Sequence, residues 1–145
     1  MKTATGSRDL VAVGLLHPDE TGAPDVEVLL VVAEPALRAG CGPLILAVDA
    51  DGVAIMAGEL VWIVTTNKGW AQLRGVASTT SGADRLPFRA DLFSADAVDD
   101  VGPDRMALRL YAMDADPNVA SPMHKIHGWL AHGSIHFGRG GARAT

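Results

Sequence analysis

Arg74, Arg89 and Arg109 each fall in the middle of a run whose neighbours alternate between apolar and polar types. A guanidinium is normally excluded from such a place unless it is paired or faces a cavity. Three such positions, together with Tyr111, Trp62, Trp70 and Asp91, are what a small-molecule pocket requires. The aromatic rings form walls, the arginines form a planar clamp for an anion or enolate, and the phenol donates a proton. In a catalytic version, Arg74 or Arg109 polarises a substrate oxygen, Tyr111 is the acid, and Trp62, Trp70, Arg89 and Asp91 bind. The plainer alternative pairs Arg89 with Asp91, leaves Arg109 on solvated sheet and lays the stem of Arg74 over apolar surface.

Other constellations are less complete. His124, His127, His132 and His136 crowd the end of the chain, and imidazole is both a common metal ligand and a common base. If His132-Gly133 makes a two-residue turn, Trp129 faces His136 and Gly128 faces Phe137, so that His127, Trp129 and His136 share the outer face of a hairpin. Zinc would still need a third ligand there, so no metal is expected. His124 shares a face with Ile126 and Leu130 and reads as a core histidine. Asp114-Ala-Asp116-Pro-Asn118 opens like a calcium loop, but Val119 stands where glycine is required and Lys125 where the closing glutamate belongs. Asp96, Asp99, Asp100 and Asp104 crowd a single loop, where turn chemistry explains them best. Cys41 lies between two glycines with no histidine close in sequence, and no Gly-x-Ser-x-Gly or phosphate-binding loop is present. No cofactor is expected.

The elements that must position these residues are strands. Period-two, β-branched runs recur about every ten residues between Gly, Pro, Asn and Asp. They give Leu10–Leu16, Val26–Ala33, Leu44–Asp49, Val53–Ala57, Leu60–Thr66, Trp70–Ala77, Phe88–Phe93, Met106–Met113, Met123–Leu130 and Ser134–Phe137. Asp51-Gly52 suits a tight hairpin, and Asn67-Lys-Gly69 a three-residue loop with glycine left-handed. Glu34–Ala39, with Pro35 in its first turn and Gly40 behind it, is the single helical turn. Alternation puts Met106, Leu108 and Leu110 opposite Arg109 and Tyr111, and Leu60, Trp62 and Val64 opposite Val61, Ile63 and Thr65. The expectation is an all-β domain: an antiparallel β-sandwich or a small closed β-barrel of about ten strands, over residues 10–138 between polar tails at 1–9 and 139–145.

Composition narrows the functional classes. The chain has 145 residues, of which 48% are hydrophobic, and a net charge of −5. That apolar content excludes disorder, and no uncharged run is long enough for a membrane helix. Scattered, outnumbered cations argue against nucleic acid as a partner. The opening MKTATGSRD is followed by no uninterrupted apolar h-region, so a cytoplasmic protein is expected, or a secreted one if a leader has been removed.

From Ala71 to Phe137 the order LRGVAS, PFRADLF, PDRMALRLYA and GSIHF resembles the β-sandwich repeat domains of many secreted bacterial proteins. That resemblance implies an antiparallel sandwich and no catalytic residue. The format, a chain of this size built as a meander, is similar to small β-barrel cyclases and isomerases, without a motif to carry it. Two functions follow as expectations. One is a domain binding a hydrophobic small molecule, with a cofactor-independent cyclase or isomerase as its enzymatic form. The other is a non-catalytic structural or protein-interaction module, with a second copy of the chain as partner through edge strands that little lysine guards. Whether the chain is an enzyme is left open by the residues.

Overall fold

The computed structural model describes residues 9–50, 53–79, 85–95, 98–99, 101–112, 115–116, 118–122 and 124–137, with side chains except at 49–50, 53–57, 79 and 124. Eight strands follow one another: β1 (Leu10–Pro18), β2 (Val26–Val32), β3 (Gly42–Ala50), β4 (Val53–Thr65), β5 (Trp70–Thr79), β6 (Arg85–Phe93), β7 (Arg105–Leu110) and β8 (His124–His136). Each pairs antiparallel with the next, and β8 returns to β1, so the sheet closes into an up-and-down barrel with no free edge. Closure decides between the two expected architectures. No helix among the described residues is long and apolar enough to cross a membrane.

Eight strands replace the ten expected because two apparent breaks lie inside continuous, bulged strands. Val53–Ala57 and Leu60–Thr66 belong to the continuous β4, whose register slips at Met56 and again at Val61. His132-Gly133 makes no hairpin: β8 runs through it, with Ala131 unpaired between the partners of Leu15 and Leu16. The residues that read as turns, Gly58-Glu59 and His132-Gly133, stay paired within their strands, and the extra residues Met56, Val61 and Ala131 lie close beside them. The slip at Val61 also reverses the expected faces beyond it. Leu60 points inward, Ile63 packs against the core, and Val61, Trp62 and Val64 are exposed together.

The helix α1 (Glu34–Ala39) lies where proline and glycine place it. Gly40 ends it with φ +79° and donates its N–H to Ala36 O, while the side chain of Asp9 accepts the N–H of Glu34. At the β4–β5 turn Gly69 takes the left-handed conformation at φ +87°, and Thr66 Oγ1 accepts the N–H groups of Lys68 and Trp70.

Inside, alternate residues of all the strands meet in one core. Leu10, Leu16, Leu30, Leu46, Leu60, Leu73, Phe88, Leu92, Leu108, Leu110 and Ile135 are essentially inaccessible. Phe88 is accommodated because Gly75 faces it across the β5–β6 pair; a Cβ at Gly75 would lie 2.7 Å from that ring and 2.1 Å from Glu59 O. The barrel is filled with aliphatic side chains, as eight-stranded barrels permit.

Candidate functional site

Among the described residues the inward side chains of the strands are apolar, and the charged side chains of the sheet stand on the outer wall. Arg74, Arg89 and Arg109 are direct cross-strand partners on β5, β6 and β7, and the register continues to Lys125 on β8 and to Trp62 on β4. The structure therefore brings the three arginines together on one rung, on the outside of the barrel and not around an internal hollow. Strands are about 4.8 Å apart, so four cations occupy one line across the sheet. Like charges directly opposite one another are destabilising.

What compensates them is limited. Asp91, one step along β6, accepts from Arg109 Nη1 at 2.9 Å and from Gln72 at 2.8 Å, and its Oδ2 lies 3.4 Å from Arg89 Nε without hydrogen-bond geometry. Arg74 donates to Asn118 at 2.9 Å and stacks on Trp62, with the guanidinium carbon 4.9 Å from the ring centroid. The Nε atoms of Arg74 and Arg89 are buried without a hydrogen-bond partner. Lys125 is exposed and makes no ion pair or hydrogen bond among the described residues. Arg89 approaches Asp91 as the plainer sequence reading has it, but Arg109 is the residue that hydrogen-bonds Asp91, and it is the guanidinium of Arg74 that lies over Trp62.

Beside the rung, Ala107 forms the floor of a depression of about 220 Å³, bordered by Arg105, Arg109, Lys125, His127, Asp19 and Trp70. Ala107 is opposite both Asp91 and His127, and its methyl group leaves the space that longer side chains enclose. His127 Nδ1 lies 3.0 Å from Asp19 Oδ2, and Arg105 donates to both oxygens of the same carboxylate at 3.1 and 3.3 Å. The hydrogen bond with His127 is the largest influence on the Asp19 carboxyl; desolvation opposes it, and the charges of Arg105 and His127 with the Arg105 hydrogen bond leave the carboxyl below its ordinary value.

The remaining predicted site residues divide. Trp62 and Trp70 stand on the outer wall, 39% and 43% exposed, and Trp70 packs at a tilt on Phe93 with centroids 5.1 Å apart. Tyr111 does not join them as an accessible acid, being 3% exposed just beyond β7 with its N–H bonded to Pro87 O. His127 and His136 both face outward but are not neighbours: His127 pairs with Ala107, whereas His136 pairs with Val11 and contacts Ser134 Oγ at 3.1 Å. Phe137 packs against the core, and Gly128 pairs with Met106 and Pro18. No group of three metal-ligating side chains occurs among the described residues. Asp104 is structural, its two oxygens accepting the N–H groups of Ala95 and Ile135 at 2.7 Å. Asp96, Asp100, Asp114 and the side chain of His124 lie outside the described residues. Cys41 is exposed and unpaired.

Sequence reasoning missed Lys125, Arg105, Ala107 and the Asp19–His127 pair. Lys125 had a signal, since it shares parity with His127 and Trp129 on β8. Asp19 had none: it reaches His127 only because β1 closes the barrel against β8, placing Pro18 opposite Gly128.

Fold and site together define an up-and-down β-barrel with an apolar core, whose outer wall carries a cationic rung beside a small depression bordered by His127. Compared with protein-family profiles, with curated proteins and with solved structures, the chain matches none.

Proposed function

We propose that the chain is a binding barrel that takes a small, anion-bearing hydrophobic molecule on its outer wall over β5–β8. The observation that carries this reading is the rung itself: Arg74, Arg89, Arg109 and Lys125 in direct register, with one carboxylate, Asp91, beside them. A row of opposed like charges works against the fold, and an anion lying across it offsets that repulsion with planar, charge-assisted hydrogen bonds. Trp62 and Trp70 flank the row and offer an apolar body its contacts. In the enzymatic form of the reading, a cofactor-independent isomerase or cyclase, Arg74 or Arg109 polarises an oxygen, and a proton donor other than the buried Tyr111 is required.

The test is a thermal-shift and calorimetric titration of the chain with arylalkyl carboxylates at low salt. The melting temperature rises with ligand, as linkage requires, the gain diminishes with added salt, and Arg89→Met or Arg109→Met weakens binding about tenfold, the loss expected for one charge-assisted contact. No stabilisation at millimolar ligand overturns the reading.

A second reading, an interaction module, is favoured by the opposite wall. Val13, Leu15, Leu29 and Ala47 line an open groove of about 590 Å³ over β1–β3, with Glu27 and His132 at its border. Closure removes the edge strands through which self-pairing was expected, so association would use this face. Light scattering distinguishes the two: a concentration-dependent dimer that carboxylates do not affect supports the second.

A further inference from the structure

The depression over Ala107 is too small for a drug-sized ligand, which fills roughly 300–1,000 Å³, but at about 220 Å³ it is large enough for a compact headgroup. Its charge is selective. Arg105, Arg109 and Lys125 border it with Asp19, and Asp91 pairs with Arg109 from the next strand, so three cations meet two carboxylates, an excess of one positive charge in a chain whose net charge is −5. Arg105 and Arg109 lie two residues either side of Ala107 on β7, and Lys125 and His127 oppose Arg109 and Ala107 on β8, so donors surround the floor.

Resting on the anion-binding reading above, we propose that this depression is the seat of a tetrahedral dianion, the phosphoryl group of a phosphate monoester, and that His127 closes it when protonated. Asp19 orients the imidazole by accepting from Nδ1, which leaves Nε2 as the second donor once the ring carries a proton. The charged groups facing His127 among the described residues are Asp19 on the β1–β2 connection, Arg105 and Arg109 on β7, Lys125 on its own strand, and Asp91 across Ala107 on β6, with His17 on β1 against Trp129. Asp91 offsets Arg109 as Asp19 offsets Arg105, which leaves Lys125 as the uncompensated positive charge among the described residues at the depression. A dianion therefore binds more tightly to the protonated form, and binding raises the titration midpoint of His127 by the same linkage.

Sulfate is the probe, because its charge is constant where a phosphate monoester's is not. The full chain is titrated with sodium sulfate at pH 5.5 and pH 8, at ionic strength held fixed with chloride, with imidazole resonances followed by NMR. The expected result is binding at both pH values, about tenfold tighter at pH 5.5, as one added charge-assisted contact gives, with the His127 midpoint rising as sulfate is added. His127→Asn binds sulfate equally at the two pH values, Lys125→Met weakens sulfate several-fold at both, and phenyl phosphate at pH 8 competes with sulfate. If arylalkyl carboxylates bind and sulfate does not, or if His127→Asn retains the pH dependence, the proposal is overturned while the anion-binding reading stands. If neither carboxylate nor sulfate binds, both are overturned.

Discussion

The two halves of the barrel share one interior and differ in what they show the solvent. On β1–β3 the outward residues include Val11, Val13, Leu15, Leu29, Val31, Ile45 and Ala47, with Glu27 and His17 among them; on β5–β8 they include Gln72, Arg74, Arg89, Asp91, Arg105, Arg109, Lys125 and His127. Inward residues are apolar on both halves. Burial on the inside is therefore sufficient to specify the fold on both halves, and the outward positions are free to differ. A charged outer wall is what any sheet tolerates; a row of like charges in register is not, and that contrast directs attention to β5–β8.

The comparison is broken most completely from within. Phe88→Ala empties the centre that both walls share and is expected to cost about 3–5 kcal/mol, read as a lowered urea midpoint, with both outer surfaces lost together. Gly75→Val, which would place a side chain against Glu59 O and the Phe88 ring, should prevent folding at the β4–β5–β6 seam, visible as loss of the strand signal in circular dichroism. Sharpening the comparison takes smaller changes. Lys125→Gln removes a charge that opposes Arg109 and should stabilise the ligand-free chain by a few tenths of a kcal/mol at low salt, while anion binding weakens. A wall selected only for stability would show no such opposition. On the other half, Ile45→Lys should alter stability by less than about 0.5 kcal/mol and leave anion binding intact, while abolishing any self-association seen by light scattering. The smallest effect is on the acid limb of the stability curve. Asp19 has its pKa lowered by folding, so its contribution is present above the unfolded value, near 4, and is lost as pH falls through the folded one. Asp19→Asn should flatten that limb, measured by urea midpoints between pH 2 and 6.

Much of this was legible in the sequence because period two is a strong signal where one face is buried. Met106, Leu108 and Leu110 face inward as alternation requires, and Arg109 outward. Alternation fails at a bulge, because one added residue inverts every position beyond it; Trp62 and Val64 were misplaced for that reason, and β8 was divided in two. Alternation also says which face a residue occupies but not its register. That Arg74, Arg89 and Arg109 share a rung depends on the lengths of the β5–β6 and β6–β7 connections, and that Asp19 meets His127 depends on closure of the whole sheet.

The β1–β8 seam has a kinetic consequence. Gly14 pairs with Gly133, and at Gly14, Gly128 and Gly133 a Cβ would meet a backbone oxygen of the opposite strand at 2.0 Å, so the two strands approach closely there and side chains do little to guide them together. Val11 must find His136 across almost the entire chain, the most expensive loop to close and therefore the last. Until then β1 and the unfinished end of the sheet present unpaired N–H and C=O groups. Between release of β7 and docking of β8 the sheet therefore has two open edges, the kind of surface through which strands of separate chains pair.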